Sequence, residues 1–137
     1  MRIITTTKLA LLGMGLLGVA AAASAMAGDI YVIAHPSVEL TQAELKDVYL
    51  GEKQFAGAVK LVPVDNSAVQ SDFLHKAMGM EASKYGSLWT KKGFRGGLTA
   101  PPVKAGDTEV ISYVKSTPGA VGYVGAPAPG AKLLHKY

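Results

Sequence analysis

Apolar positions along this chain switch between two periods, and the switches mark the elements. Asp29-Ile30-Tyr31-Val32-Ile33-Ala34 sets β-branched and aromatic residues in succession before the turn-prone His35-Pro36-Ser37, which predicts an opening strand. Thr41-Gln42-Ala43-Glu44 is a capping box, since the Thr41 hydroxyl can take the Glu44 N–H while the Glu44 carboxylate reaches back. It predicts a helix from Gln42 to about Leu50, stopped by Gly51. Lys60-Leu61-Val62-Pro63-Val64 reads as a second strand, and Asp65-Asn66-Ser67 as a turn capping the helix after it. Phe73, Leu74, Ala77 and Met78 give that helix an apolar face, and Gly79 ends it.

A further helix is expected from Glu81 to about Thr90, with Tyr85, Leu88 and Trp89 on one side, followed by a glycine- and proline-rich loop from Lys91 to Gly106. Asp107-Thr108-Glu109 suits the positive end of a helix dipole, and Val110, Ile111, Tyr113 and Val114 continue at helical spacing. Pro118 cannot extend that helix, Gly119 is free to take positive φ, and Ala120 to Val124 is an apolar run that fits a covered strand. Lys132 to Tyr137 is expected as a short final strand. Alternating strands and helices place the domain in the α/β class, with a parallel or mixed sheet flanked by helices.

The first 27 residues have the pattern of a secretory signal. Arg2 and Lys8 give a positive start, Leu9 to Ala23 is almost wholly apolar, and two overlapping small-residue sites follow, Ala23-Ser24-Ala25 and Ala25-Met26-Ala27. Cleavage after Ala27 is preferred to a retained anchor, because the apolar run is short for a span and the first strand begins at Asp29. Residues 28–137 then form one domain, long enough to bury roughly two-thirds of its unfolded surface. The chain has no cysteine, so neither a disulfide framework nor a thiol-linked lipid is available to the exported protein. A soluble periplasmic protein is the expectation. The net charge of +4 falls to +2 without Arg2 and Lys8, too mild and too scattered for a nucleic-acid partner.

Little in the sequence suits catalysis. No serine sits in a G-x-S-x-G elbow, and His35, His75 and His135 lie far apart without metal-ligand spacing, so neither an enzyme nor a metal or cofactor site is expected. Two segments suit an anion. Asp65-Asn66-Ser67-Ala68-Val69-Gln70-Ser71 passes from strand to helix, where free N–H groups point along a positive dipole and Ser67, Gln70 and Ser71 add neutral donors. In Lys91-Lys92-Gly93-Phe94-Arg95-Gly96-Gly97, three cations lie beside glycines, and the Arg95 fork fits two oxygens of a phosphate-like group. The bland readings are a capped helix start and a solvated helix end. Tyr49, Tyr85, Trp89 and Tyr123 are read as core residues.

The order of segments resembles one lobe of the periplasmic phosphate-binding proteins of ABC transporters, and their short stand-alone relatives. The resemblance rests on Leu40-Thr41-Gln42-Ala43-Glu44-Leu45-Lys46-Asp47-Val48-Tyr49-Leu50-Gly51, Val62-Pro63-Val64-Asp65, Phe73 with Met78-Gly79, Trp89 with Phe94, and Ser116-Thr117-Pro118-Gly119-Ala120-Val121-Gly122-Tyr123-Val124. It implies a single type II periplasmic-binding-protein-like lobe and an origin in oxyanion capture for import. In the two-lobed members an Arg, an Asp and a Ser-Gly-Thr helix start hold the anion. Here the corresponding turn is Val64-Asp65-Asn66-Ser67-Ala68, so Asp65, Ser67 and Ser71 carry over while the arginine and the Ser-Gly pair do not. A lone lobe offers one wall of a cleft, and a homodimer or another protein would supply the other. The expected ligand is phosphate or a similar small oxyanion. The alternative is a lobe that has lost its ligand and docks on an ABC permease, membrane sensor or envelope partner.

Overall fold

In the computed structural model, residues 28–137 are described, and the expected signal segment lies outside them. The central sheet has four strands, β1 (Tyr31–Ala34), β4 (Val62–Pro63), β7 (Ala120–Val124) and β8 (Lys132–Lys136), in the order β4-β7-β1-β8. β1 runs antiparallel to both neighbours, with Val32 opposite Tyr123 and His135, whereas β4 is parallel to β7. The sheet is therefore mixed, in an α/β architecture. Two small ladders complete the strands: the hairpin of β2 (Phe55–Ala56) with β3 (Val59–Lys60), and parallel β5 (Asp65–Asn66) with β6 (Val103–Lys104).

Strand alternation sends successive side chains to opposite faces, and the two faces carry separate cores. Val32, Ala34, Val121 and Tyr123 pack with α1 (Gln42–Tyr49), with α2 (Gln70–Phe73) and its π-helical continuation Leu74–Met78, and with Trp89 of α3 (Ala82–Gly96). Ile33, Ala120 and Val124 pack with Val110 and Val114 of α4 (Asp107–Ser116). On the first face the Phe73 and Tyr123 rings stack at 3.8 Å, and Tyr49 meets Phe73 edge-on at 4.9 Å. The buried Tyr49 hydroxyl donates to Val64 O at 2.8 Å, and Trp89 Nε1 donates to Tyr49 O at 3.1 Å, so the polar tips of this cluster are satisfied. The four aromatic residues read as core are core.

The capping box forms as expected: Glu44 N donates to Thr41 Oγ1, and Thr41 N donates to the Glu44 carboxylate at 2.9 Å. Three boundaries differ from the sequence reading. The strand expected over Lys60–Val64 is divided: β3 belongs to a hairpin, and β4 joins the central sheet after Leu61. Asp65-Asn66-Ser67 is no simple turn, because Asp65 N donates to Pro102 O at 2.8 Å and Ser67 N to Lys104 O at 2.9 Å, drawing the segment into the β5–β6 ladder. The expected helix cap does not form: Asn66 Oδ1 accepts from Ala68 N at 3.0 Å, ahead of the helix, and Val69 starts α2 without a side-chain cap.

The third correction is the loop expected from Lys91. α3 runs on through Lys91, Lys92 and Arg95 to Gly96, and ends at left-handed Gly97 with φ +66°. Lysine and arginine favour helix, and two interior glycines at roughly 1 kcal/mol each do not stop a helix anchored by Tyr85 and Trp89.

Gly119 sets the entry to β7. It has φ +85°, and a side chain there would bring Cβ within 2.0 Å of Lys60 O. Gly119→Ala is expected to cost ~3 kcal/mol, read as a lower urea midpoint with unchanged slope. An unchanged midpoint would show that the β3–β7 approach is not fixed.

Candidate functional site

The segment after β4 carries the first candidate residues, and the fold buries two of them. Asp65 is 1% exposed and Asn66 fully buried. Both Asp65 oxygens are occupied: Oδ1 accepts from the Tyr123 hydroxyl at 2.6 Å and Oδ2 from the Tyr85 hydroxyl at 2.7 Å. Burial raises the Asp65 carboxyl above the ordinary range, while hydrogen bonds from Tyr123, Tyr85 and Gln70 work in the opposite direction. Both phenols are pushed up, chiefly by burial and then by the neighbouring carboxylate.

Asn66 is equally committed, with Nδ2 donating to Asp107 Oδ1 at 2.8 Å and Tyr123 O at 3.0 Å. Ser67 is exposed and donates from Oγ to Ala105 O at 3.2 Å. Gln70 is half-buried and Ser71 exposed. The first helical bond runs from Phe73 N to Val69 O, so the N–H groups of Gln70, Ser71 and Asp72 have no partner within α2. Asp65 and Gln70 line an open cleft of about 400 Å³ with Tyr85, Trp89, Thr90 and Pro101.

Arg95 does not line that cleft. It lies about 15 Å along α3 from Tyr85, at 1.5 Å of rise per residue. Arg95, Lys91 and Lys92 line a second cleft, of about 360 Å³, with Leu88, Gly96 and Leu98. Lys92 Nζ is 3.7 Å from the Glu52 carboxylate, while Lys91 and Arg95 have no carboxylate within 4 Å among the described residues. The structure thus brings together the three cations of one candidate segment and separates them from the acidic and neutral residues of the other.

A third recess escaped the sequence reading: an apolar groove of about 400 Å³ between the end of α1 and the Gly97–Pro102 segment, lined by Val48, Leu61, Pro63, Trp89, Leu98 and Pro101. It is assembled from four separated stretches, so no local pattern marks it. The roles of Tyr85 and Tyr123 as donors to Asp65 were also missed. The available signal was general, since a carboxylate following an apolar strand needs donors once buried. Among the described residues, no group of three His, Asp or Glu could hold a metal ion, and no helix is long and apolar enough to cross a membrane.

The Asp65 shift has a defined sign. A carboxyl raised in the folded state contributes stability that is present below the unfolded value of 3.8 and lost as pH rises through the folded value. The stability of wild type relative to Asp65→Asn is therefore expected to grow as pH falls from 7 toward 4, measured by urea unfolding at each pH. A constant difference would mean that the carboxylate titrates alike in both states.

No family model matches the chain, and no curated protein sequence matches it. Among solved structures, the chain is similar to an ABC-type phosphate transport receptor from Vibrio cholerae, with 14% identity and a TM-score of 0.49 over 79% of this chain and 46% of that one. It is also similar to PstS from Borrelia burgdorferi, with 16% identity and a TM-score of 0.47 over 71% of this chain and 41% of that one. The chain spans less than half the length of either matched structure.

Proposed function

We propose that the chain is an exported, soluble, non-catalytic binding protein for phosphate or a similar small oxyanion, with the ligand's charge met at the end of α3. The observation that carries this reading is the convergence of Lys91, Lys92 and Arg95 on one cleft whose lining includes no carboxylate. The Arg95 guanidinium offers two parallel donors to a tetrahedral oxyanion, Lys91 adds a point charge, and Lys92 is partly balanced by Glu52. The Asp65 cleft suits an anion less well, because it has a buried carboxylate in its wall and no cation in its lining. The order of segments in the sequence supports descent from phosphate carriers, and the pattern of residues 1–27 supports export to the periplasm.

The cleft is one-walled and open to water, which weakens a lone charge-assisted contact. A second copy, an ABC permease or a membrane sensor would supply the facing wall. A docking module that has lost its ligand is the second reading, favoured by Phe94, which stands 88% exposed beside Arg95.

Thermal unfolding against phosphate, sulfate and other oxyanions at fixed ionic strength tests the first reading. A bound anion at about 100 times its dissociation constant should add roughly 2.7 kcal/mol of stability. Arg95→Ala should remove most of that gain and Ser71→Ala should leave it. Loss in Ser71→Ala alone would move the site to the start of α2, and no shift with any oxyanion would overturn the reading in favour of docking.

A further inference from the structure

α3 has two faces of different chemistry. Tyr85, Leu88, Trp89 and Lys92 turn inward, where Tyr85 and Trp89 are buried and Leu88 and Lys92 half-buried. Lys84, Ser87, Lys91 and Phe94 recur at three- and four-residue spacing on the outward face, with Arg95 adjoining, and all five are exposed. The 15 residues of α3 contain Lys84, Lys91, Lys92 and Arg95 and no acidic residue. Since the chain without Arg2 and Lys8 carries +2, the rest of the described residues balance to −2, and the positive charge is gathered on this helix. Lys84, Lys91 and Arg95 have no carboxylate within 4 Å among the described residues.

Phe94 lies opposite the buried side of α3. It is 88% exposed, more than Phe55, Val103 or Leu133. The ring contributes nothing to the core, and with Lys84, Lys91 and Arg95 exposed on the same side it makes that side of α3 both apolar and cationic. The rest of α3 states the chemistry of the occupant: long cationic side chains with apolar stems and the hydroxyls of Ser83, Ser87 and Thr90, with no acid between the N-cap Glu81 and the helix end.

We propose that the outward face of α3 docks on an anionic phospholipid surface, with Phe94 entering the headgroup boundary and Lys84, Lys91 and Arg95 meeting lipid phosphates. A lipid surface is favoured over an acidic protein because α3 offers exposed cations and an apolar ring and has no acidic residue within its length. Such a surface asks only for positive charge and an apolar wedge. The proposal shares phosphate chemistry with the oxyanion cleft but does not need that cleft, since Lys84 and Phe94 lie outside its lining.

Vesicles of phosphatidylcholine alone, and with phosphatidylglycerol added, separate lipid docking from other sources of binding. The protein is expected to cosediment with the anionic vesicles in a salt-sensitive manner and to leave the neutral ones. Lys84→Gln should weaken partition about fivefold, and Phe94→Ser should weaken it at least as much, while both variants keep the wild-type unfolding temperature and its response to inorganic phosphate. A Phe94→Trp variant should show a blue-shifted emission component on anionic vesicles that wild type, with only Trp89, does not show. Equal binding to both vesicle types, or anionic binding indifferent to Lys84→Gln and Phe94→Ser, would overturn the proposal. Failure on vesicles together with binding to polyglutamate that Lys84→Gln weakens would overturn it in favour of an acidic protein partner. A lost phosphate response with intact vesicle binding would strike the oxyanion reading alone.

Discussion

A buried carboxylate held by two phenols ties this fold together. Asp65 lies on β5, Tyr123 on the interior strand β7 and Tyr85 on α3, so two short hydrogen bonds fasten a helix and a peripheral ladder to the central sheet. Leaving the carboxylate without either donor would expose a desolvated acceptor at a cost of roughly 1–3 kcal/mol or more. The same arrangement commits two residues of the strand-to-helix segment to the fold. Its acid and its amide are already structural, and the remaining donors, Ser67, Gln70 and Ser71, sit around rather than within that network.

The consequence runs along α3. Because Tyr85 and Trp89 fix one side of the helix to Asp65 and to Tyr49 O, the opposite side is presented as a rigid outward strip. Tyr85 and Trp89 thus tie α3 to the core, while Lys91 and Arg95 stand exposed toward its end.

The parts legible in the sequence were those fixed by short-range rules. The capping box at Thr41 and Glu44, the stop at Gly79, the Pro118-Gly119 turn and the apolar run of β7 each depend on residues within one or two turns of one another, and each stands in the structure. The errors arose where distant partners decide. Asp65 and Asn66 read as turn formers because nothing nearby reveals that Pro102 and Lys104 will pair with them. The end of α3 read as loop because Gly93, Gly96 and Gly97 outweigh Lys91 and Lys92 locally, whereas Tyr85 and Trp89 anchor the helix to Asp65 and Tyr49 O from distant segments. Lys91, Lys92 and Arg95 share a cleft, but the two candidate segments do not share one.

The strand order adds a constraint in time. β1 occupies an interior position in the sheet, yet both of its neighbours, β7 and β8, come from the last part of the chain. The opening strand therefore has no backbone partner until residues 120–136 have been synthesised. Contacts of such sequence separation close late, and the central sheet cannot form on an incomplete chain. Tyr31–Ala34 stays without a sheet partner throughout that interval, so the topology itself delays folding until residues 120–136 have emerged.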